Sequence, residues 1–181
     1  AVCALRSHLE NEGIKPGDRV AVYMRNCPEY LIAFYGIWSM GAVILPINSK
    51  LHTKEVGWIL ENAACSYVLC EESSISEINF PGVTVFNPKW QQFDSNIHIP
   101  PVKRSSTDLA WLFYTSGTTG RPKGVMITHG MIKTMALSYF ADVDQVHPSD
   151  TTLYAAPMSH GAGLYSIMHV LAGARHAIPC L

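Results

Sequence analysis

The sequence predicts an α/β fold with a mostly parallel sheet flanked by helices. Short strand-like runs alternate along the chain with helical segments, and the runs are continuously apolar, as strands buried on both faces are. Such an order of strands and helices is typical of parallel sheets built with right-handed crossovers. A hydrophobic content of 48% with only 15% charged residues indicates a well-buried globular chain and not a disordered one.

The first part of the chain predicts a compact alternation of helices and strands. Helical spacing of apolar residues predicts helices at residues 1–12, 28–40 and 53–63. Apolar runs predict strands at residues 19–24, 43–45, 66–70 and 83–86, with a short helix and turn at 71–82. Gly13 follows the first helix as a stop signal, Asn26 is expected to cap the second, and Thr53 to open the third.

A change of composition predicts two lobes. Residues 87–107 are rich in Asn, Pro, Gln and Ser, which indicates an irregular surface connection between a first α/β lobe at 1–86 and a second α/β segment at 108–181. In the second segment we expect strands at 109–113, 125–127, 151–155 and 175–178, and helices at 128–141 and 163–171. Thr128 is expected to cap the first of these helices.

Composition also limits the function classes. A net charge of −1 argues against a nucleic-acid binder, and no apolar run reaches the ~18 residues of a transmembrane helix. Five cysteines form no C-x-x-C pair, and no secretory leader is visible, so we expect reduced thiols and a cytoplasmic location. The chain begins at Ala1 without an initiator Met, which leaves a preceding stretch open.

The stretch Tyr114–Val125 has the composition of a phosphate-binding loop. It lies between two apolar runs and combines hydroxyl side chains and glycines with one proline, one arginine and one lysine. Glycines let backbone N–H groups approach an anion, hydroxyls donate to its oxygens, and Lys123 supplies compact positive charge. The spacing excludes the P-loop and the G-x-G-x-x-G loop. Pro122 disfavours helix at Arg121, so the loop is expected to connect two strands.

Three segments carry a family resemblance. The stretch 114–125 resembles the phosphate-binding signature of the adenylate-forming (AMP-binding) superfamily, which includes acyl-CoA synthetases and the adenylation domains of peptide synthetases. Ala156–Leu164 is similar to the family's Pro-x-x-His-x-x-Gly segment beside the acid pocket, and Trp38–Asn48 is similar to an early Gly-Ala-x-x-x-Pro segment. The resemblance implies that the chain forms part of the large N-terminal domain of such an enzyme.

The resemblance also implies a set of site residues. His160 and Gly161 would form the gate or wall of the acid pocket, while the metal ligands are not identified. The residues that would bind the phosphates of ATP are Thr115, Ser116, Gly117, Thr118, Thr119, Gly120 and Lys123.

Each of these roles has a plainer alternative. Lys123 and Arg121 can be ordinary solvated side chains, the hydroxyls can satisfy turn backbone, and His160 can be a packed core histidine. A Ser159–His160 hydrolase pair is disfavoured, because adjacent residues rarely form such a pair and no G-x-S-x-G occurs.

The implied reaction is the activation of a carboxylic acid, fatty or other, by ATP with Mg²⁺, followed by transfer to coenzyme A. The family's Tyr-Gly-x-Thr-Glu segment, its ribose-binding aspartate motif and its late lysine do not occur in the sequence. We therefore expect an incomplete and inactive piece of an acid–CoA ligase. The alternatives are an adenylation domain of a peptide synthetase and a non-catalytic ATP-binding protein. The acid, the acceptor thiol and the oligomeric state stay open.

Overall fold

A computed structural model describes residues 1–87, 98–115 and 121–179. Its α-helices are α1 (Val2–Asn11), α2 (Pro28–Ser39), α3 (Thr53–Asn62), α4 (His129–Asp142) and α5 (Gly161–Ala172). Its strands are β1 (Arg19–Tyr23), β2 (Val43–Pro46), β3 (Tyr67–Cys70), β4 (Thr84–Phe86), β5 (Leu109–Thr115), β6 (Lys123–Thr128), β7 (Thr151–Leu153) and β8 (Arg175–Ala177). A short 3₁₀ turn covers Glu72–Ser74.

The predicted mostly parallel sheet is confirmed. Six strands form one sheet in the order β4-β3-β1-β2-β5-β6, and every neighbouring pair is parallel except β5 and β6. Strands β7 and β8 form a separate parallel pair. The central strands β1, β2 and β3 are buried almost throughout, which explains why they are continuously apolar in the sequence.

Helices cover both faces of the large sheet. On one face Val20 and Val22 of β1 pack in a cluster with α1 and α2, whose buried side chains include Leu5 and Phe34. On the other face Ala21 of β1 packs in a cluster with α3. Successive residues of a strand point to opposite faces, so one strand contributes to both clusters. The inward residues predicted for α3, Val56, Ile59 and Leu60, are all buried.

Three of the predicted helix signals are confirmed and one is wrong, and the first of the three is Thr53, at which α3 begins. Gly13 follows α1 with φ +83°, and the Thr128 side chain accepts a hydrogen bond from the Met131 backbone N–H at the start of α4. Asn26 does not cap α2: the N-cap position is Cys27, and no side chain caps the helix. The Asn26 amide is engaged by a distant segment instead, as the site geometry makes clear.

The predicted division into two lobes remains a prediction. Residues 98–107 contain no helix or strand, while 88–97 lie outside the described residues. Strands from both sides of this connection share one sheet, since β5 pairs with β2. The connection is held against the first segment, where the Val102 N–H donates to Ser39 O and the Arg6 guanidinium donates to Pro100 O.

Two further properties concern the described part of the chain. None of its helices is long and apolar enough to cross a membrane. Cys3, Cys27, Cys65 and Cys70 are not in disulfide bonds, Cys180 lies outside the described residues, and the reduced state stays a prediction.

Candidate active site

The predicted phosphate loop connects the two strands of an antiparallel hairpin. Thr115 ends β5, Lys123 begins β6, and the two residues are paired in the register of the hairpin. Both are exposed. The strand-to-strand connection inferred from Pro122 is confirmed. Residues 116–120 lie outside the described residues, so the phosphate contacts predicted for Ser116, Gly117, Thr118, Thr119 and Gly120 stay predictions.

The base of this hairpin is anchored to α3 through Tyr114. The Tyr114 hydroxyl donates to Asn62 Oδ1 at 2.6 Å, and its ring meets Trp58 edge to face with ring centroids 6.0 Å apart. Opposite it on β6, a Cβ added to Gly124 would lie 3.1 Å from Tyr114 Cζ. The glycine therefore leaves room for the tyrosine ring, and the loop starts from a fixed base.

Phe113, the residue before Tyr114 on β5, contacts the second motif, Ala156–Leu164. Phe113 and His160 meet edge to face, with ring centroids 5.4 Å apart. Because side chains alternate along a strand, Tyr114 faces α3 while Phe113 faces the residue that precedes α5. Phe113, which directly precedes the stretch 114–125, thus contacts the second motif beside the loop, although the sequence analysis assigned no site role to Phe113 or Tyr114.

A Ser159–His160 hydrolase pair stays disfavoured, although the reason that adjacent residues rarely pair does not hold here. Their side chains do form a hydrogen bond, with Ser159 Oγ 3.0 Å from His160 Nδ1. A tight turn, in which the His160 N–H donates to Pro157 O at 3.0 Å, brings these adjacent side chains together. The bond engages Nδ1, whereas the serine-hydrolase arrangement uses Nε2 toward the nucleophile.

Of the two glycines near the start of α5, Gly163 is the more confined. A Cβ added to Gly163 would lie 2.0 Å from Met158 O and 2.9 Å from Phe34 Cε2. A Cβ added to Gly161 would approach no neighbour closer than 4.0 Å. Close packing of α5 on α2 therefore requires Gly163, while the pocket role of Gly161 stays a prediction.

Asn26 is a residue beside the site whose role the sequence analysis predicted wrongly. Its Nδ2 donates to Tyr154 O at 3.2 Å and to Ala156 O at 2.8 Å, and its Oδ1 accepts from the Met158 N–H at 2.8 Å. No local pattern reveals partners 128 to 132 residues further along the chain.

A cleft of about 710 Å³ opens beside the segment 154–158 that Asn26 contacts. Its walls include residues that follow β1, β2 and β3, together with Pro157 and Ser159. Since β5 runs parallel to β2, the phosphate loop begins at the same end of the sheet, the end at which the parallel strands terminate. The carboxyl ends of parallel strands are the usual place for ligands in α/β sheets.

The charges in the cleft are mixed. Arg25 and Glu71 form an ion pair, with Arg25 Nη2 3.0 Å from Glu71 Oε2, and Lys50 is exposed. Burial raises the pKa of the Cys27 thiol to about 12, so this thiol stays protonated at neutral pH. Among the described residues, no group of three or more His, Cys, Asp and Glu side chains is placed to hold a metal ion.

Comparison with known proteins assigns the family. The family model described as AMP-binding enzyme matches residues 1–179. The chain belongs to this family, as the resemblance of its motifs implied.

Individual relatives and solved structures are similar to the chain over most of its length. The crotonobetaine/carnitine–CoA ligase of Escherichia coli K12 is 34% identical over 171 residues, which cover 82% of this chain and 32% of the relative. The N-terminal domain of FACL13 from Mycobacterium tuberculosis superposes with a TM-score of 0.85 at 29% identity, covering 98% of this chain and 47% of that one. The AMPPNP-bound nonribosomal peptide synthetase FmoA3 gives a TM-score of 0.84 at 28% identity, covering 98% and 19%. The chain spans about a third of the length of the curated relatives it matches.

Proposed function

We propose that this chain supplies the ATP-phosphate and carboxylate sites of an acid–CoA ligase. In that reaction the carboxylate of a fatty or other organic acid attacks the α-phosphate of ATP, giving an acyl-adenylate and pyrophosphate. The thiol of coenzyme A then attacks the acyl carbon and AMP departs. Adenylation is needed because the leaving group of a free carboxylate would be oxide.

One observation carries this proposal: the β5–β6 hairpin holds Thr115 and Lys123 as a pair beside the Phe113–His160 contact. The Lys123 ammonium would neutralise charge on the β- and γ-phosphates, and the hydroxyl and backbone N–H groups of residues 115–120 would donate to their oxygens. His160 would form a wall of the carboxylate site.

The remaining components follow from the family. Mg²⁺ commonly keeps phosphate oxygens and waters as ligands, so it would arrive with ATP and share the charge of the departing pyrophosphate. A cytoplasmic location is proposed from the cysteines of the sequence, which form no C-x-x-C pair and are odd in number. The chain alone is proposed to be inactive, because three of the family's motifs do not occur in its sequence.

A second candidate is an adenylation domain of a peptide synthetase, which the likeness to FmoA3 supports. It shares the first half-reaction and differs in the thiol that accepts the acyl group. The paired Thr118–Thr119 and the sequence Ser159–Gly163 favour the CoA ligase. A non-catalytic ATP-binding protein would share only the nucleotide site.

The test is a calorimetric titration of the 181-residue chain with ATP and Mg²⁺. Lys123→Ala should weaken ATP binding about tenfold or more, since a hydrogen bond to a charged group contributes about 1.5–3 kcal/mol. Lys133→Ala, which removes an exposed lysine from α4, is the matched control and should leave the affinity unchanged.

Equal affinities of the wild type and Lys123→Ala would contradict the phosphate role of the loop. Exchange of radiolabelled pyrophosphate into ATP tests the other half of the proposal. Exchange above background by this chain alone would show that it is not catalytically incomplete.

A further inference from the structure

The NH₂ group and the oxygen of the Asn26 side-chain amide both form hydrogen bonds with one distant segment. The amide donates to two backbone carbonyls, Tyr154 O and Ala156 O, and accepts from one backbone N–H, that of Met158. The chemistry fixes the orientation of the amide, because only its NH₂ can face the carbonyls and only its oxygen can face the N–H. Three of its four hydrogen-bonding positions are therefore engaged by one stretch of backbone.

That stretch leads directly into His160. Met158 is fully buried, and the turn that follows is closed by the hydrogen bond from the His160 N–H to Pro157 O. The carbonyl of His160 in turn accepts from the Gly163 N–H in the first turn of α5. Fixing the backbone at Ala156 and Met158 therefore fixes where α5 begins and where the His160 ring lies.

Asn26 lies on the short connection between two elements of the fold. The buried strand β1 ends at Tyr23, and α2 begins at Pro28 after its N-cap residue Cys27. The same helix carries Phe34, which packs against Gly163 on α5. The unit formed by β1 and α2 thus holds the segment at two points, one before His160 and one after it.

Aspartate, glutamine and serine do not reproduce this arrangement. Aspartate accepts from the Met158 N–H but donates nothing, and its charge would face two carbonyl oxygens. Glutamine carries the same groups one methylene further out, and serine has a single hydroxyl. Helix capping, by contrast, accepts several of these residues.

We propose that Asn26 is a positioning residue that holds the backbone of residues 154–158, so that the His160 ring stays against Phe113 beside the β5–β6 loop. Its role in the reaction rests on the proposed function, whereas its effect on the placement of His160 does not. Asn26 acts through His160 and is not itself assigned a contact with the substrate.

The test is NMR of the 181-residue chain as wild type, Asn26→Ala, Asn26→Asp and the control Asn48→Ala. Asn48 lines the same cleft, and its Oδ1 accepts from the Lys50 N–H two residues away. Asn26→Ala should speed hydrogen exchange of the Met158 amide about tenfold, the effect of losing one hydrogen bond, and should shift the His160 ring resonances. Asn26→Asp should keep the Met158 amide protected and still shift His160, and Asn48→Ala should change neither.

Protected amides in β1 and β2 show that each variant is folded. If Asn26→Ala does not fold, the inference is tested with Asn26→Asp and with the wild type. In the wild type, the side-chain NH₂ group of Asn26 should itself be protected from hydrogen exchange. Unchanged Met158 exchange and unchanged His160 resonances in a folded Asn26→Ala would overturn the inference, as would a freely exchanging Asn26 NH₂ group.

Titration of the same samples with AMPPNP separates this inference from the proposed function. The Met158 exchange rate and the His160 resonances are read from samples without nucleotide, so the effect of Asn26→Ala on the placement of His160 is measured whether or not AMPPNP binds. If the wild type does not bind AMPPNP, the proposed function fails, and the exchange and His160 measurements still decide the role of Asn26.

Discussion

The regions on either side of the connection at residues 98–107 bury their apolar side chains to different extents. In the first region the strands β1, β2 and β3 lie between α1 and α2 on one face and α3 on the other. In the second region β6 exposes Val125 and Met126, the latter by 68%, and α4 buries only Ala136. An apolar pattern therefore specifies a strand or a helix in both regions, but burial requires a second layer of structure to cover it.

The largest difference in stability between the two regions should come from truncating one leucine in each. Leu45 on β2 is 0% exposed and Leu137 on α4 is 60% exposed. Leu45→Ala should lower the free energy of unfolding by about 2–5 kcal/mol, because it removes buried methyl groups and leaves a cavity. Leu137→Ala should change it by no more than about 0.5 kcal/mol, as alanine is a good helix former.

Urea denaturation followed by circular dichroism measures both values. Equal losses for the two variants would show that the second region is covered as thoroughly as the first, and the contrast between them would disappear.

A smaller effect is expected where the two regions touch. Gly163→Ala places a Cβ against Met158 O, a backbone atom that cannot rotate away, and should destabilise the chain by about 1–3 kcal/mol. Gly161→Ala, in the same helix, meets open space and should lie within about 1 kcal/mol of the wild type. Comparable melting temperatures for the two variants would mean that Gly163 is not held against the Met158 carbonyl.

Patterns among neighbouring residues predicted the structural features that depend on local interactions. Pro122 predicted that the loop connects two strands, and Thr128 was confirmed as the cap of α4, because both effects involve neighbouring residues. The apolar runs predicted β1, β2 and β3, since only strands buried on both faces are apolar at every position. The family motifs predicted the class of protein but not the arrangement of the site.

Contacts between distant segments could not be predicted in the same way. An asparagine before Cys27–Pro28 is typical of a helix cap, yet Asn26 binds backbone groups more than a hundred residues away. The hydrogen bond between Ser159 and His160 depends on a turn whose shape is fixed from outside by those same contacts. Long-range hydrogen bonds outweigh local propensity at these positions.

The smallest predicted effect concerns a histidine in each region that is hydrogen-bonded to a tyrosine. His8 Nε2 lies 2.9 Å from the Tyr67 hydroxyl, and His176 Nδ1 lies 2.7 Å from the Tyr154 hydroxyl. Burial lowers the pKa of both imidazoles; Glu12 opposes this for His8, whereas His169 adds to it for His176. Burial also raises the pKa of Tyr154 to about 12, so this hydroxyl remains a donor at neutral pH.

A lowered folded-state pKa means that the unfolded chain binds the proton more readily. The stability that these residues contribute is therefore present above the unfolded pKa of about 6.5 and is lost as pH falls through the lower folded pKa. Urea midpoints at pH 7.5 and 5.5 should show a loss of stability on acidification that is smaller in His8→Gln and in His176→Gln than in the wild type. Because the remaining ionisable groups are common to all three proteins, the difference between variant and wild type reports each histidine together with its coupled partner, Glu12 or His169. A reduced loss in His8→Gln alone would confine the effect to the more completely buried region, and parallel curves for all three would contradict it in both.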